Sequence, residues 1–155
     1  MKEQYRNQII DMLTTAYWME IETVTNYLAN SVDLDGVRAE EIKKALAADI
    51  TEELTHAQTL AKRIKEVGGR VPGSMQFKPG QRSLQPPQLT TDVTAVIRGV
   101  IEAENGAIEH YGKLIELCGD AHDYVTQDLC ITQLADEESH RIMFQGFLKE
   151  YEQQS

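Results

Sequence analysis

The chain has 155 residues, with 25 Asp and Glu against 15 Lys and Arg, and its formal net charge is −10 at pH 7. A composition of 41% hydrophobic and 26% charged residues is that of a globular protein with a core, which excludes a disordered or fibrous chain. The negative charge argues against nucleic acid or an anionic membrane as a partner, because both would repel it, and favours cations.

Two further features predict a cytoplasmic protein. Only Cys118 and Cys130 are present, too few for a disulfide framework or a thiolate metal site, which fits a reducing compartment. Charged residues interrupt every apolar stretch near the N-terminus. We therefore expect neither a signal peptide nor a membrane span.

The prolines divide the chain into two helical halves. All four lie between positions 72 and 87, and the flanking segments are rich in Ala, Leu, Glu, Lys and Gln. Residues 31–36 and Gly119 interrupt the helical pattern, with Asp120 as the expected N-cap of the last helix. The sequence predicts a single domain, 1–155, with helices at about 3–30, 37–67, 91–118 and 121–151.

Each predicted helix carries an apolar stripe at steps of three and four residues, which predicts an all-α, antiparallel four-helix bundle. The connection 68–90 is too long for a hairpin, since about 23 extended residues reach ~75 Å and a 30-residue helix is only ~45 Å long. We expect it to cross over along the outside, between helices two and three, and to link two hairpins. Ionisable residues interrupt the stripes near mid-length: Glu20 in the first helix, Glu53 and His56 in the second, Glu104 in the third, and Glu137 and His140 in the fourth.

The two halves repeat the same constellation. Glu53 follows Glu20 by 33 residues, and Glu137 follows Glu104 by the same 33 residues. Because each pair is equidistant from its hairpin turn, its members lie at the same depth in the bundle. The Glu-x-x-His spacing then adds a histidine on the same helix face. Four carboxylates and two imidazoles are therefore predicted to converge at the middle of the bundle.

Such a cluster predicts a pair of metal ions. Four buried carboxylates would repel one another and destabilise the fold, whereas two divalent cations cancel their charge. Carboxylate oxygens with one imidazole per metal, and no thiolate, suit Fe(II) or Mn(II) better than copper or structural zinc. The alternative, that these are structural polar residues in a binding or scaffold protein, predicts no metal.

At these residues the chain resembles the ferritin-like di-iron carboxylate superfamily, and bacterioferritins in particular. His-Asp-Tyr-Val at 122–125 and Asp-Glu-Glu-Ser-His at 136–140 resemble the start of the last long bacterioferritin helix. The resemblance implies that Tyr27 lies close to the di-iron centre, whereas its counterpart Tyr111 is expected to pack in the core. It implies this ligand set: Glu53 and Glu137 bridging both metals, Glu20 and Glu104 as terminal carboxylates, and His56 and His140 on one metal each.

The chain departs from that family at two places. Leu54 stands where bacterioferritins have the methionine that binds haem, so no haem is expected. The sequence ends 15 residues after His140, without the family's short fifth helix. We therefore do not assume a storage cage.

The resemblance implies a ferroxidase that oxidises Fe(II) with O2 or H2O2, for iron storage or detoxification, in a homo-oligomer that is at least a dimer. The alternative from the same chemistry is a di-iron or di-manganese oxidase or peroxide reductase without mineral storage.

Overall fold

The structure is a computed structural model that describes residues 1–153. Its four α-helices are α1 (Arg6–Asp33), α2 (Glu40–Glu66), α3 (Val93–Ala121) and α4 (Tyr124–Gln153), with short 3-10 turns at Glu3–Tyr5, Val37–Ala39 and Ser74–Gln76. Helix α1 packs along α2 and α3 along α4, and α1 also contacts α3. The predicted antiparallel four-helix bundle is confirmed. None of the four helices is long and apolar enough to cross a membrane.

Helix α1 continues past its predicted end at residue 30. Ser31 remains helical and its hydroxyl donates a hydrogen bond to the Leu28 carbonyl at 2.8 Å. The chain turns away only at Leu34, which is extended and fully buried in the core. Burial of Leu34, rather than the polar residues before it, thus fixes the end of α1.

The α3–α4 turn also lies later than predicted. Gly119 and Asp120 are still inside α3, so neither is the helix stop or the N-cap. His122 takes the left-handed conformation, with φ of 58°, and ends α3. Asp123 lies just before α4 and accepts a hydrogen bond from the Thr126 N–H at 3.2 Å, which is the N-cap interaction.

The crossover runs from residue 67 to 92 and lies against α1 and α3. Its middle is anchored on α1, where Asn30 donates to the Leu84 carbonyl at 2.9 Å and Glu22 accepts from the backbone of Gly80. A side chain at Gly99 of α3 would collide with the crossover backbone. These contacts fix the crossover against the α1–α3 face of the bundle.

The buried apolar residues form two clusters, and the ionisable residues of all four helices lie between them. One cluster is near the α1–α2 turn and the other near the α3–α4 turn. Along each helix the polar positions therefore separate two apolar segments. Representative members are Ile42, Leu46, Ile97 and Phe144 in the first cluster and Ile9, Leu13, Leu60 and Leu114 in the second.

Candidate metal centre

The six residues singled out in the sequence meet in this polar layer, and all six are buried. They form two adjoining groups in which the candidate ligand atoms lie within 4.8 Å of one another. Glu53 and Glu137 belong to both groups. The first group is Glu20, Glu53, His56 and Glu137, and the second is Glu53, Glu104, Glu137 and His140.

The Nδ1 atoms of both histidines point into this cluster. His56 Nδ1 lies 3.0 Å from Glu137 Oε1, and His140 Nδ1 lies 3.1 Å from Glu53 Oε1. Each histidine therefore faces the shared carboxylate of the opposite hairpin. The three-residue step from each shared glutamate to its histidine brings this about, because it holds both side chains on one face of a helix.

The Nε2 atoms point outward, each to a carboxylate that our sequence analysis missed as part of the site. His56 Nε2 lies 2.9 Å from Asp136 Oδ2, and His140 Nε2 lies 2.8 Å from Glu52 Oε2. A carboxylate that accepts a hydrogen bond from Nε2 keeps the imidazole proton on that atom and leaves Nδ1 free to bind a metal. The repeat itself could have revealed both acids, since the second half follows the first at an offset of 84 residues and this offset relates 52 to 136.

Two buried tyrosines hold the remaining glutamates. The Tyr27 hydroxyl donates to Glu104 Oε1 at 2.7 Å, so Tyr27 contacts one of the six candidate ligands. Tyr111 does more than pack in the core, since its hydroxyl donates to Glu20 and also lies 2.8 Å from Gln133 Oε1. Each hairpin thus supplies a tyrosine to the glutamate of the other hairpin that belongs to only one of the two groups.

Burial and mutual repulsion favour the protonated form of two of the carboxyl groups, those of Glu20 and Glu137. Burial, reinforced by the nearby charge of Glu53, raises the pKa of Glu20 to about 8. Burial and the charge of Glu20 raise the pKa of Glu137 well above its ordinary value. Burial would also raise the pKa of Glu53, but its interactions with Glu20 and His140 outweigh burial and lower that pKa.

Both histidines are stabilised in their protonated form. Burial alone would lower the pKa of His56, yet its interactions with Glu137, Glu20 and Glu53 raise that pKa far above the ordinary value. The same balance, with Glu104 as the main partner, raises the pKa of His140 to about 12. Without metal, the centre thus offsets its carboxylate charge with protons.

The donor set fits a pair of divalent cations. Several atoms of the two groups are buried and lack a hydrogen-bond partner, which is costly for polar atoms in a protein interior. The histidine nitrogens among them lie at ion-pair distances from glutamate oxygens but are not aligned to form hydrogen bonds. Coordination to metal ions would satisfy all of them: Glu53 Oε1, His56 Nδ1, Glu104 Oε2, Glu137 Oε1 and His140 Nδ1.

Leu54, at the position where bacterioferritins have the haem-binding methionine, lies on the outer surface of α2 with 42% of its area exposed. The absence of haem remains a prediction.

Residues 10–153 match the model of the family described as the ferritin-like domain. A bacterioferritin from Desulfovibrio desulfuricans is 24% identical over 147 residues, which cover 94% of this chain and 76% of that protein. A bacterial ferritin from Neisseria meningitidis serogroup B is 34% identical over 93 residues, which cover 59% of this chain and 54% of that protein.

Solved structures show the same fold. The X-ray structure of Desulfovibrio desulfuricans bacterioferritin, described with its diiron site in different catalytic states, superposes with a TM-score of 0.82 at 22% identity and covers 99% of this chain and 85% of its own. A dodecameric thioferritin from Bacteroides fragilis gives a TM-score of 0.82 at 24% identity, with 96% and 89% covered.

Proposed function

The chain belongs to the family of ferritin-like domains, and from this premise we propose that it is a di-iron ferroxidase, which binds two Fe(II) ions per chain and oxidises them to Fe(III). The observation that carries the proposal is the pair of adjoining donor groups that share Glu53 and Glu137. A protein that binds one metal needs no such sharing, whereas bridging carboxylates are what a two-metal site requires.

Charge and donor type support iron. Four carboxylates balance the charge of two divalent ions, and one imidazole for each ion completes an oxygen-rich set that suits Fe(II) or Mn(II). Among the relatives are bacterioferritins, and one similar structure is described as having a diiron site. We therefore assign iron as the metal, with manganese as the competitor that the donor set also admits.

Each residue has a proposed role in this centre. Glu53 and Glu137 bridge both metals, and Glu20 and Glu104 are terminal carboxylates, each held by a tyrosine of the opposite hairpin. His56 and His140 bind through Nδ1, one to each metal. When bound, two Fe(II) ions supply the two electrons that convert O2 and two protons to H2O2, or H2O2 and two protons to water.

The outer carboxylates orient the histidines and fix the position of their remaining proton. Asp136 and Glu52 are close to two-fifths exposed, with side-chain exposures of 40% and 41%, and each faces a histidine Nε2. Metal binding requires the ligand groups to lose their protons. The two outer acids therefore keep one proton of each histidine on Nε2, so that the proton lost on metal binding is the one on Nδ1.

The oligomeric state distinguishes a ferroxidase that stores iron mineral from an oxidase or peroxide reductase that does not. Exposed apolar side chains of α1 and α2, such as Leu28, Val32 and Leu54, support a homo-oligomer, and one similar structure is described as dodecameric. We propose an oligomeric cytoplasmic protein. Its mass in solution tests the oligomeric state. A dimer would favour an oxidase or peroxide reductase that holds no mineral.

The proposal is tested by anaerobic titration with Fe(II) followed by mixing with O2. We expect rapid oxidation that saturates at two Fe(II) per chain, and its loss in Glu53→Ala and Glu137→Ala, since each variant lacks a ligand common to both metals. Glu138→Ala, which alters the exposed neighbour of Glu137, is the matched control and keeps the wild-type rate. Rapid oxidation in either bridging variant would refute the assignment.

A further inference from the structure

A cleft of about 590 Å³ opens on the α1–α3 face of the bundle, beside the crossover. We call it the outer cleft. The aromatic rings of Trp18 and Phe77, whose centroids are 4.9 Å apart, form part of its wall. Met19, Gln81 and Ala103 also line it, from α1, the crossover and α3 respectively.

A second, much smaller cavity lies against the metal centre. Its volume is about 10 Å³, which is near the space that the centre of a single water molecule requires. We call it the inner cavity, and Glu20, Glu104 and Glu137 form its inner side. Its remaining walls include the same Met19, Gln81 and Ala103 that line the outer cleft. The two spaces therefore adjoin, separated by these shared side chains.

Gln81 is the residue that the crossover contributes to both spaces, and it is held firmly. Its Nε2 donates to the Thr23 hydroxyl at 2.9 Å, and its Oε1 accepts from Asn26 Nδ2 at 2.7 Å. The buried carboxylate of Glu22 accepts from the backbone N–H groups of Gly80 and Gln81. The side-chain amide of Gln81, held by two hydrogen bonds on a backbone that Glu22 anchors, therefore has a defined position between the outer cleft and the metal centre.

The opposite, α2–α4 face differs in charge. There the two histidines meet Asp49, Glu52 and Asp136. The cleft beside His56 adds Glu66 and Asp128 against Lys62 and Arg63, so acidic side chains outnumber basic ones on this face. The outer cleft balances Lys78 and Arg82 against Glu22 and Glu102. A cation is thus attracted to the α2–α4 face, whereas a neutral molecule enters the outer cleft without electrostatic cost.

We propose that the small neutral oxidant, O2 or H2O2, reaches the metal centre through the outer cleft, and that Gln81 is the specificity-determining residue that limits the size of what passes. This inference rests on the proposed ferroxidase function. Fe(II) uses the acidic α2–α4 face, so oxidant and metal approach the centre from opposite sides. The small side chain of Ala103 provides the gap on α3 that Gln81 closes from the crossover.

The test compares Gln81→Ala with the wild-type chain, using Gln85→Ala as the control. Gln85 also belongs to the crossover and contacts Asn26 and the Gln81 carbonyl, yet it lines neither space. One measurement is the rate at which azide binds to the Co(II)-loaded centre without oxygen, followed by visible absorption. The other is single-turnover oxidation of bound Fe(II) by H2O2 and by the bulkier tert-butyl hydroperoxide.

We expect Gln81→Ala to accelerate azide binding and to raise the rate with tert-butyl hydroperoxide relative to H2O2 by about tenfold, a size effect typical of a constriction in a binding site. The affinity for Co(II) stays unchanged, because Gln81 is not among the candidate metal ligands. Ala103→Leu narrows the same passage from α3 and slows both azide binding and oxidation by H2O2. Gln85→Ala leaves both rates at the wild-type value.

Unchanged azide rates and oxidant ratios in both Gln81→Ala and Ala103→Leu, in a protein that binds Co(II) and oxidises Fe(II), would overturn this inference and leave the proposed function standing. A wild-type chain that binds no Co(II) and does not oxidise Fe(II) would overturn both. A change in Co(II) affinity that matches the change in rate would also overturn the inference, because it would show that Gln81 acts on the metal site itself.

Discussion

Replacement of Glu20 by Gln is expected to stabilise the metal-free protein and to reduce the stability that the protein gains from metal. Burial and Glu53 raise the pKa of Glu20 from 4.5 to about 8. At pH 7 the folded state therefore holds a proton that the unfolded chain releases. Stability from such a group is complete below pH 4.5 and is lost as the pH rises towards 8.

The size of the effect follows from this difference. Retaining the proton at pH 7 costs about 1.4 kcal/mol for each pH unit above 4.5, or about 3 kcal/mol. A glutamine has no such cost, and its amide can donate to Glu53 as the protonated carboxyl does. In a chain of this length about 3 kcal/mol corresponds to a rise in melting temperature of roughly 6–12 °C.

Metal is expected to remove this difference in stability between the two proteins. At a hundred times the dissociation constant each site adds about 2.7 kcal/mol, so two sites raise the wild-type melting temperature by roughly 10–20 °C. Glu20→Gln lacks one charged ligand and should gain at most half of this. Thermal unfolding at pH 7, with and without Co(II), measures both effects.

Glu138→Gln, an exposed change on α4, is the control and should match the wild type under both conditions. Two results would refute the reasoning. One is a metal-free Glu20→Gln that melts below the wild type, since Glu20 would then stabilise the fold without metal. The other is an undiminished gain with Co(II), since Glu20 would then not bind it.

Three further predictions concern the residues around the centre. Glu52→Gln and Asp136→Asn should each weaken Co(II) binding by about 10–100-fold in calorimetric titration, because each releases a histidine Nε2; wild-type affinity would contradict this. Tyr111→Phe should lower the free energy of unfolding in urea by about 1–3 kcal/mol, since buried acceptors lose their donor; an unchanged value would show that the hydroxyl is dispensable. The metal-free melting temperature should fall between pH 6.5 and 8, because Glu20 and His140 have raised pKa values and the folded state holds more protons there, whereas a rise over this range would contradict the assignment.

The positions of the buried glutamates and histidines could be predicted because they depend only on helix geometry. Two residues equidistant from a hairpin turn share a depth, whatever the conformation of the turn itself. This is why the 33-residue spacing located Glu20 beside Glu53 and Glu104 beside Glu137, even though the predicted helix ends were displaced.

The helix ends could not be predicted in the same way, because tertiary contacts decide them. Asp123 caps α4 in place of Asp120, and it also accepts a hydrogen bond from Arg63 of α2 at 2.8 Å. Leu34 ends α1 because its side chain is buried between helices. Neither contact has a local signal in the sequence.

Of the residues around the candidate ligands, some could have been predicted from the sequence and others could not. Glu52, Asp136 and Tyr111 obey the repeat between the two halves and could have been found from it. The anchoring of Gln81 by Glu22 could not, because it joins residues 59 positions apart through an irregular segment without any periodicity. The path of the crossover is thus fixed by contacts that leave no pattern in the sequence.

A dinuclear centre between the four helices can be observed by anomalous X-ray scattering at the iron edge, from crystals loaded anaerobically with Fe(II). We predict two peaks per chain about 3.5–4 Å apart, with Glu53 and Glu137 between them. A single peak, or none between the helices, would show that no dinuclear centre forms there.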